Sequence, residues 1–198
     1  LEYANNAYRT AGISANNYME TVTSFSASLL QSLNGDTAKS AQVADMAIQD
    51  MADNANKMGT SMESIQNAYQ GFAKGNYTML DNLKLGYGGT KEEMQRLLEH
   101  AHELTGLEYD MSNLSDVYNA IHEVQKELGL TGATAQEALT TIEGSANAVK
   151  ASWENLLVGL ADSNQNVNAL IDTLIENIVI LFRDNLIPRV QVIFEKIP

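Results

Sequence analysis

Hydrophobic positions along this chain recur in alternating steps of three and four, the spacing that places side chains on one face of an α-helix. The clearest example is Ala41, Ala44, Ile48, Met51, Ala55 and Met58. Asp36 stands ahead of this stripe as an N-cap, and Gly59 follows it where a left-handed C-terminal residue is wanted. An earlier helix is expected from Ser14 through Leu29, Leu30 and Leu33 to Gly35. Thr60 and Glu63 have capping-box spacing and open a helix carrying Met62, Ile65, Tyr69 and Phe72. Gly75 and Asn76 interrupt it, and a short helical turn with Leu80 and Leu83 follows.

The second half repeats the scheme. After Gly86-Tyr87-Gly88-Gly89, Thr90 and Glu93 form a second capping box, ahead of Met94, Leu97, Leu98, Ala101 and Leu104. Gly106 ends that helix, and Ser112 precedes one bearing Leu114, Val117, Tyr118, Ile121, Val124 and Leu128. Gly129 and Gly132 mark its stop. Thr134 and Glu137 suggest a third box, opening one long helix with Ala138, Ile142, Val149, Trp153, Leu156 and Leu160 on its stripe and Gly144 tolerated inside. From Val167 to Ile197 apolar residues crowd together, interrupted by Asp172, Glu176, Asn177, Arg183 and Asp184, so the run is too broken for a membrane span. It reads as a helix with a wide apolar face, kinked or stopped near Pro188. That face is expected either to complete the core or to meet a partner.

No stretch alternates with the period of two that a half-buried strand needs. The expected fold is all-α: an array of short to medium antiparallel helices with a longer amphipathic C-terminal helix. The expected division is a compact helical region over 1–162 and a segment over 163–198 leading onward. A start at Leu1 and an end inside an apolar run read as cuts from a longer chain.

Composition agrees. Of 198 residues, 44% are hydrophobic, enough for a buried core, and only two are proline. Twenty-five acids against twelve bases give a net charge of −13. The bases are scattered singly, whereas binding a nucleic-acid backbone needs clustered cations, so direct nucleic-acid binding is not expected. With no cysteine, disulfides, thiol nucleophiles and cysteine metal sites are excluded.

Candidate chemistry is thin. GYGGTK over 86–91 lacks the adjacent Gly-Lys and preceding strand of a phosphate-binding loop, and reads as a turn with at least one glycine at positive φ. His100 and His102 point to different helix faces, and His122-Glu123 lacks the second histidine of a zinc protease motif, so all three read as solvated. Glu92, Glu93, Glu99 and Glu103 read as surface charge rather than as a glycan-cleaving pair. Trp153 reads as a core anchor. No catalytic, cofactor-binding or metal-ligating residue is assigned, and no cofactor is expected.

One block does carry a resemblance. Residues 65–100 contain Ala68-Tyr69-Gln70-Gly71-Phe72-Ala73-Lys74-Gly75-Asn76-Tyr77 and Leu83-Lys84-Leu85-Gly86-Tyr87-Gly88-Gly89-Thr90. This block resembles the tail tape measure proteins of long-tailed bacteriophages and prophages of Gram-positive bacteria. A second stretch over 132–162, with Ser152-Trp153-Glu154-Asn155-Leu156-Leu157, is similar to the same family, as is Leu186-Ile187-Pro188-Arg189-Val190. The resemblance implies a non-enzymatic virion protein that occupies the tail lumen, sets tail length during assembly in the host cytoplasm and assists DNA ejection. It implies tail-tube proteins, tail assembly chaperones and other copies of itself as partners, with host membrane contact by the full protein at ejection. Two other classes fit this sequence less well. A secreted helical interaction module would carry a Trp-x-Gly turn, but Trp153-Glu154-Asn155 lies in a helical stripe. An envelope-degrading enzyme would need a catalytic domain that no motif here supplies.

Overall fold

The computed structural model describes residues 2–162 and 164–195. It is all-α, without a strand among the described residues. In order the elements are α1 (Glu2–Thr10), α2 (Ala15–Ser32), α3 (Thr37–Met58), α4 (Met62–Phe72), a 3₁₀ turn (Leu80–Leu83), α5 (Lys91–Thr105) and α6 (Leu114–Glu127). Then follow α7 (Ala133–Thr140), α8 (Ile142–Ala161), α9 (Val167–Val179), a π-helical segment (Ile180–Leu186) and α10 (Ile187–Glu195). Ile197, the last apolar position of the sequence run, lies outside the described residues.

Most helix boundaries follow from local capping. The Asp36 carboxylate accepts the Lys39 amide, and Gly59 closes α3 at φ +62°. Thr90 accepts the Glu93 amide to open α5, and Gly106 closes it at φ +74°. Two caps fall one residue later than the sequence suggests. Ser61, not Thr60, caps α4, while the Thr60 hydroxyl donates to the Asn82 carbonyl. Asn113, not Ser112, caps α6 and accepts two amides, and Ser112 is held by Asp110.

The chain forms two compact units, Glu20–Ala133 and Leu1–Met19 with Thr134–Pro198. This boundary differs from the one expected between 162 and 163, because α9 packs along α8 within the second unit.

The unit Glu20–Ala133 has a core of large side chains. Phe25, Leu29, Ile48, Met51, Ile65 and Tyr69 are all within 2% of complete burial. The Phe25 and Tyr118 rings meet edge-on at 5.5 Å, and Tyr69 lies 5.0 Å from Tyr118, separations at which aromatic pairs attract beyond their area. The Tyr118 hydroxyl donates to the Tyr69 carbonyl at 3.0 Å, which satisfies that buried group.

The other unit is built differently. Its buried positions are mostly small: Ala4, Ala7, Ala138, Ser145, Ala148 and Ser152. The long helix expected from Thr134 onward is broken in two at Thr141, whose hydroxyl caps α8 through the Gly144 amide. Gly144 is therefore required, not merely tolerated, since a Cβ there would stand 2.3 Å from the Glu137 carbonyl oxygen. A Cβ at Gly159 would meet Leu170, so α8 and α9 also pack at close range. Near Pro188 the chain widens rather than stopping. Proline has no amide and crowds the carbonyl four residues back, and the Ile187 amide bonds five residues back to Phe182.

Candidate functional site

Three places hold the features that function could draw on: the glycine turn, the buried polar cluster and the outer face of α8–α10.

The glycine turn is a closed clasp. Gly86 has φ +87°, as expected of one glycine there, and a Cβ on Gly89 would sit 2.2 Å from the Thr78 carbonyl oxygen. The Glu93 carboxylate accepts the Gly88 amide at 2.9 Å, and Arg96 reaches the Gly86 carbonyl at 2.8 Å while bonding Glu93. Its guanidinium also lies 4.4 Å from the Tyr87 ring centre, a cation–π distance. The bond from Arg96, then the Gly88 amide, hold the Glu93 carboxyl below its usual range. A phosphate loop offers its amides to a ligand; here a carboxylate of the same chain takes the Gly88 amide. The segment is a structural turn.

The histidines correct the sequence reading in part. His102 bonds the Leu107 carbonyl at 2.8 Å on the surface, and His100 meets the Tyr87 hydroxyl at 2.7 Å. His122 is not a solvated helix histidine: its Nδ1 lies 2.9 and 3.1 Å from the two oxygens of Asp50, which is 1% exposed. Burial pushes the Asp50 carboxyl up to about 6, against the opposing pull of His122. The bond to Asp50 in turn raises His122. Around this pair Asp53 accepts the Gly132 amide at 2.6 Å, Asn54 donates to the Leu83 carbonyl, and Gln125 donates to the Tyr69 hydroxyl. The cluster ties α3, α4 and α6 to the loops at both ends. Sequence reasoning missed it because Asp50, Asp53 and Asn54 lie beside an otherwise ordinary apolar stripe. No group of three or more His, Asp or Glu among the described residues could hold a metal.

A groove of about 840 Å³ lies in the same unit between Gln31, Ala73, Tyr77, Lys91, Gln95 and Asn113. Neither Asp50 nor His122 lines it. The acid–imidazole pair and the groove therefore do not assemble into one centre.

The outer face of α8–α10 is the largest departure from expectation. Trp153 is half exposed rather than a core anchor, and Leu157 and Leu160 continue its stripe into solvent. On α9 and beyond, Ile171, Ile175, Ile178, Phe182 and Ile187 are exposed, whereas the buried residues are Asn177 and Asn185. Asn185 donates to the Leu139 and Ile180 carbonyls. Of the large apolar side chains on α8, α9 and α10, Leu156 alone among the described residues is buried. No helix is long and apolar enough to cross a membrane, among the described residues.

Comparison with known protein families, with curated proteins and with solved structures finds no match for this chain.

Proposed function

We propose that this chain is a non-enzymatic structural segment of a phage tail tape measure protein, contributing to tail-length control and DNA ejection as part of a longer chain. The observation that carries the reading is the resemblance of residues 65–100, supported by those over 132–162 and 186–190. The all-α architecture is compatible with it, and so are bases scattered singly along the sequence, since a protein lining the lumen need not grip DNA. Its partners on this reading are tail-tube subunits, assembly chaperones and further copies of the chain.

Mass spectrometry of purified tails tests the reading. Peptides from this chain are expected in intact particles and depleted after triggered DNA release. Internal in-frame duplications of the parent gene are expected to lengthen tails in electron micrographs. Particles that lack the peptides, or tails of unchanged length, would sink the proposal.

A further inference from the structure

The exposed apolar face from α9 into α10 stays on one line only because of the π segment. Along an unbroken α-helix the stripe Ile171, Ile175, Ile178, Phe182 would continue at 186 and 189, onto Leu186 and Arg189. One five-residue step, marked by the bond from the Ile187 amide to the Phe182 carbonyl, carries it onto Ile187 and Val190 instead. Both are exposed, as is Val179 beside the stripe. Seven such side chains, each roughly one-third to one-half uncovered, offer on the order of 600 Å². That is the upper end of what monomers leave in water and approaches the roughly 800 Å² each partner gives a standard interface.

Charge selects the occupant. Glu176 and Arg183 lie two turns apart on either side of the midpoint near Val179 and Ile180. A second copy laid antiparallel about that midpoint sets each Glu176 beside the other chain's Arg183. Glu176 is exposed and touches Arg9 at 3.4 Å. Arg183 gives two N–H groups to Asp184 and has three left to donate. The stretch 167–195 carries four acids and two bases, close to the average charge density of the chain, so it is the placement of Glu176 and Arg183, not a weaker overall repulsion, that favours a second copy. A stripe symmetric about its own centre is the requirement of an isologous two-fold contact.

Independently of the tape measure reading, we propose that this face is a homodimer interface in which α9, the π segment and α10 pair antiparallel with the same elements of a second copy. The experiment is light scattering and mild oxidation of the full 198-residue chain. Because the chain has no cysteine, single cysteines report register. Near the two-fold, Val179→Cys should give a covalent dimer. Ile171→Cys should not, because paired copies hold those positions about 25 Å apart, far beyond disulfide reach. Light scattering should give twice the chain mass at tens of micromolar, and Phe182→Glu should reduce it to one chain mass with its helical circular dichroism intact. A monomeric parent chain, an assembly larger than two chains, or cross-linking of Ile171→Cys as efficient as that of Val179→Cys would each overturn the proposal. Should Phe182→Glu fail to fold, the cysteine pair decides alone.

Discussion

Asp50 and His122 show how a single buried contact sets pH behaviour. Both groups have raised pKa values in the folded chain, Asp50 through burial and His122 through its bond to that carboxylate. A group raised on folding stabilises fully below its unfolded pKa, and that contribution is lost as pH rises through the folded value. The Asp50 contribution is thus lost between about 3.8 and about 6. The His122 contribution is lost above 6.5, when loss of its proton leaves a buried carboxylate without a cation. Melting temperature is therefore expected to fall from pH 6.5 to pH 9, with Asp50→Asn flattening the slope. An Asp50→Asn variant with the parent's slope would remove the pair as its cause. The glycines separate steric classes at the same scale. Gly144→Ala and Gly89→Ala drive a Cβ into backbone at 2.3 and 2.2 Å, and each should cost about 1–3 kcal/mol as overpacking does. Gly159→Ala meets only the end of the Leu170 side chain and Gly88→Ala only the Glu93 side chain, so both should be markedly milder. Denaturant titration of the four variants checks the order, and equal losses would refute it.

Among elements, legibility tracked how local the deciding interaction is. Asp36, Gly59, Thr90 and Gly106 act within a turn of themselves, and the boundaries they set appear where the sequence places them. Ser61 and Asn113 displaced neighbours because adjacent capping residues compete for the same amides, and the rest of the loop decides. The short α1 was missed because its buried face is Ala4, Ala7 and Tyr8, a weak apolar signal. The break at Thr141 was hidden because Ala138 and Ile142 keep helical spacing across it, whereas the close approach at Gly144 is tertiary. At the π segment the sequence predicts only a kink or stop near Pro188, since spacing alone does not register a five-residue turn. Trp153 sat on a helical stripe, and periodicity does not say whether a stripe faces inward. The polar cluster was invisible for a related reason: His122 and Asp50 are 72 residues apart. Asn185 offers a test at this scale. Buried and bonded to the Leu139 and Ile180 carbonyls, it should cost about 1–3 kcal/mol when replaced by Ala, from the unsatisfied acceptors. The loss should appear as faster amide exchange over α7–α10, with α3 and α6 unaffected. Unchanged exchange there would show that Asn185 bears no such load.

At the scale of the whole molecule, two ways of building a helical core sit in one chain. The unit Glu20–Ala133 places Tyr69, Tyr118, Phe25 and the large aliphatic residues inside, each fully buried Leu, Ile or Phe contributing about 1.5–3 kcal/mol. The unit of Leu1–Met19 and Thr134–Pro198 buries mainly alanine and serine, with Tyr8, Tyr18 and Leu156 as its large buried side chains, and turns Trp153, Ile175, Phe182 and Ile187 outward. Alanine and serine bring little apolar area, so the second unit has far less to set against the conformational entropy of its helices. A partner on the outer face would add to that stability, since binding stabilises the state that binds, in proportion to the logarithm of partner concentration. If that partner is a second copy, the stability of this unit depends on protein concentration and that of Glu20–Ala133 does not. Hydrogen exchange at two concentrations a hundredfold apart makes the comparison within one molecule. Protection over α8, α9 and α10 is expected to rise at the higher concentration, by up to about 2.7 kcal/mol per hundredfold excess over the dissociation constant. Protection of α3 and α6 should stay fixed. Equal, concentration-independent protection of both units would mean that the small-residue core suffices alone, and that the apolar face is a surface the fold tolerates without a copy to cover it.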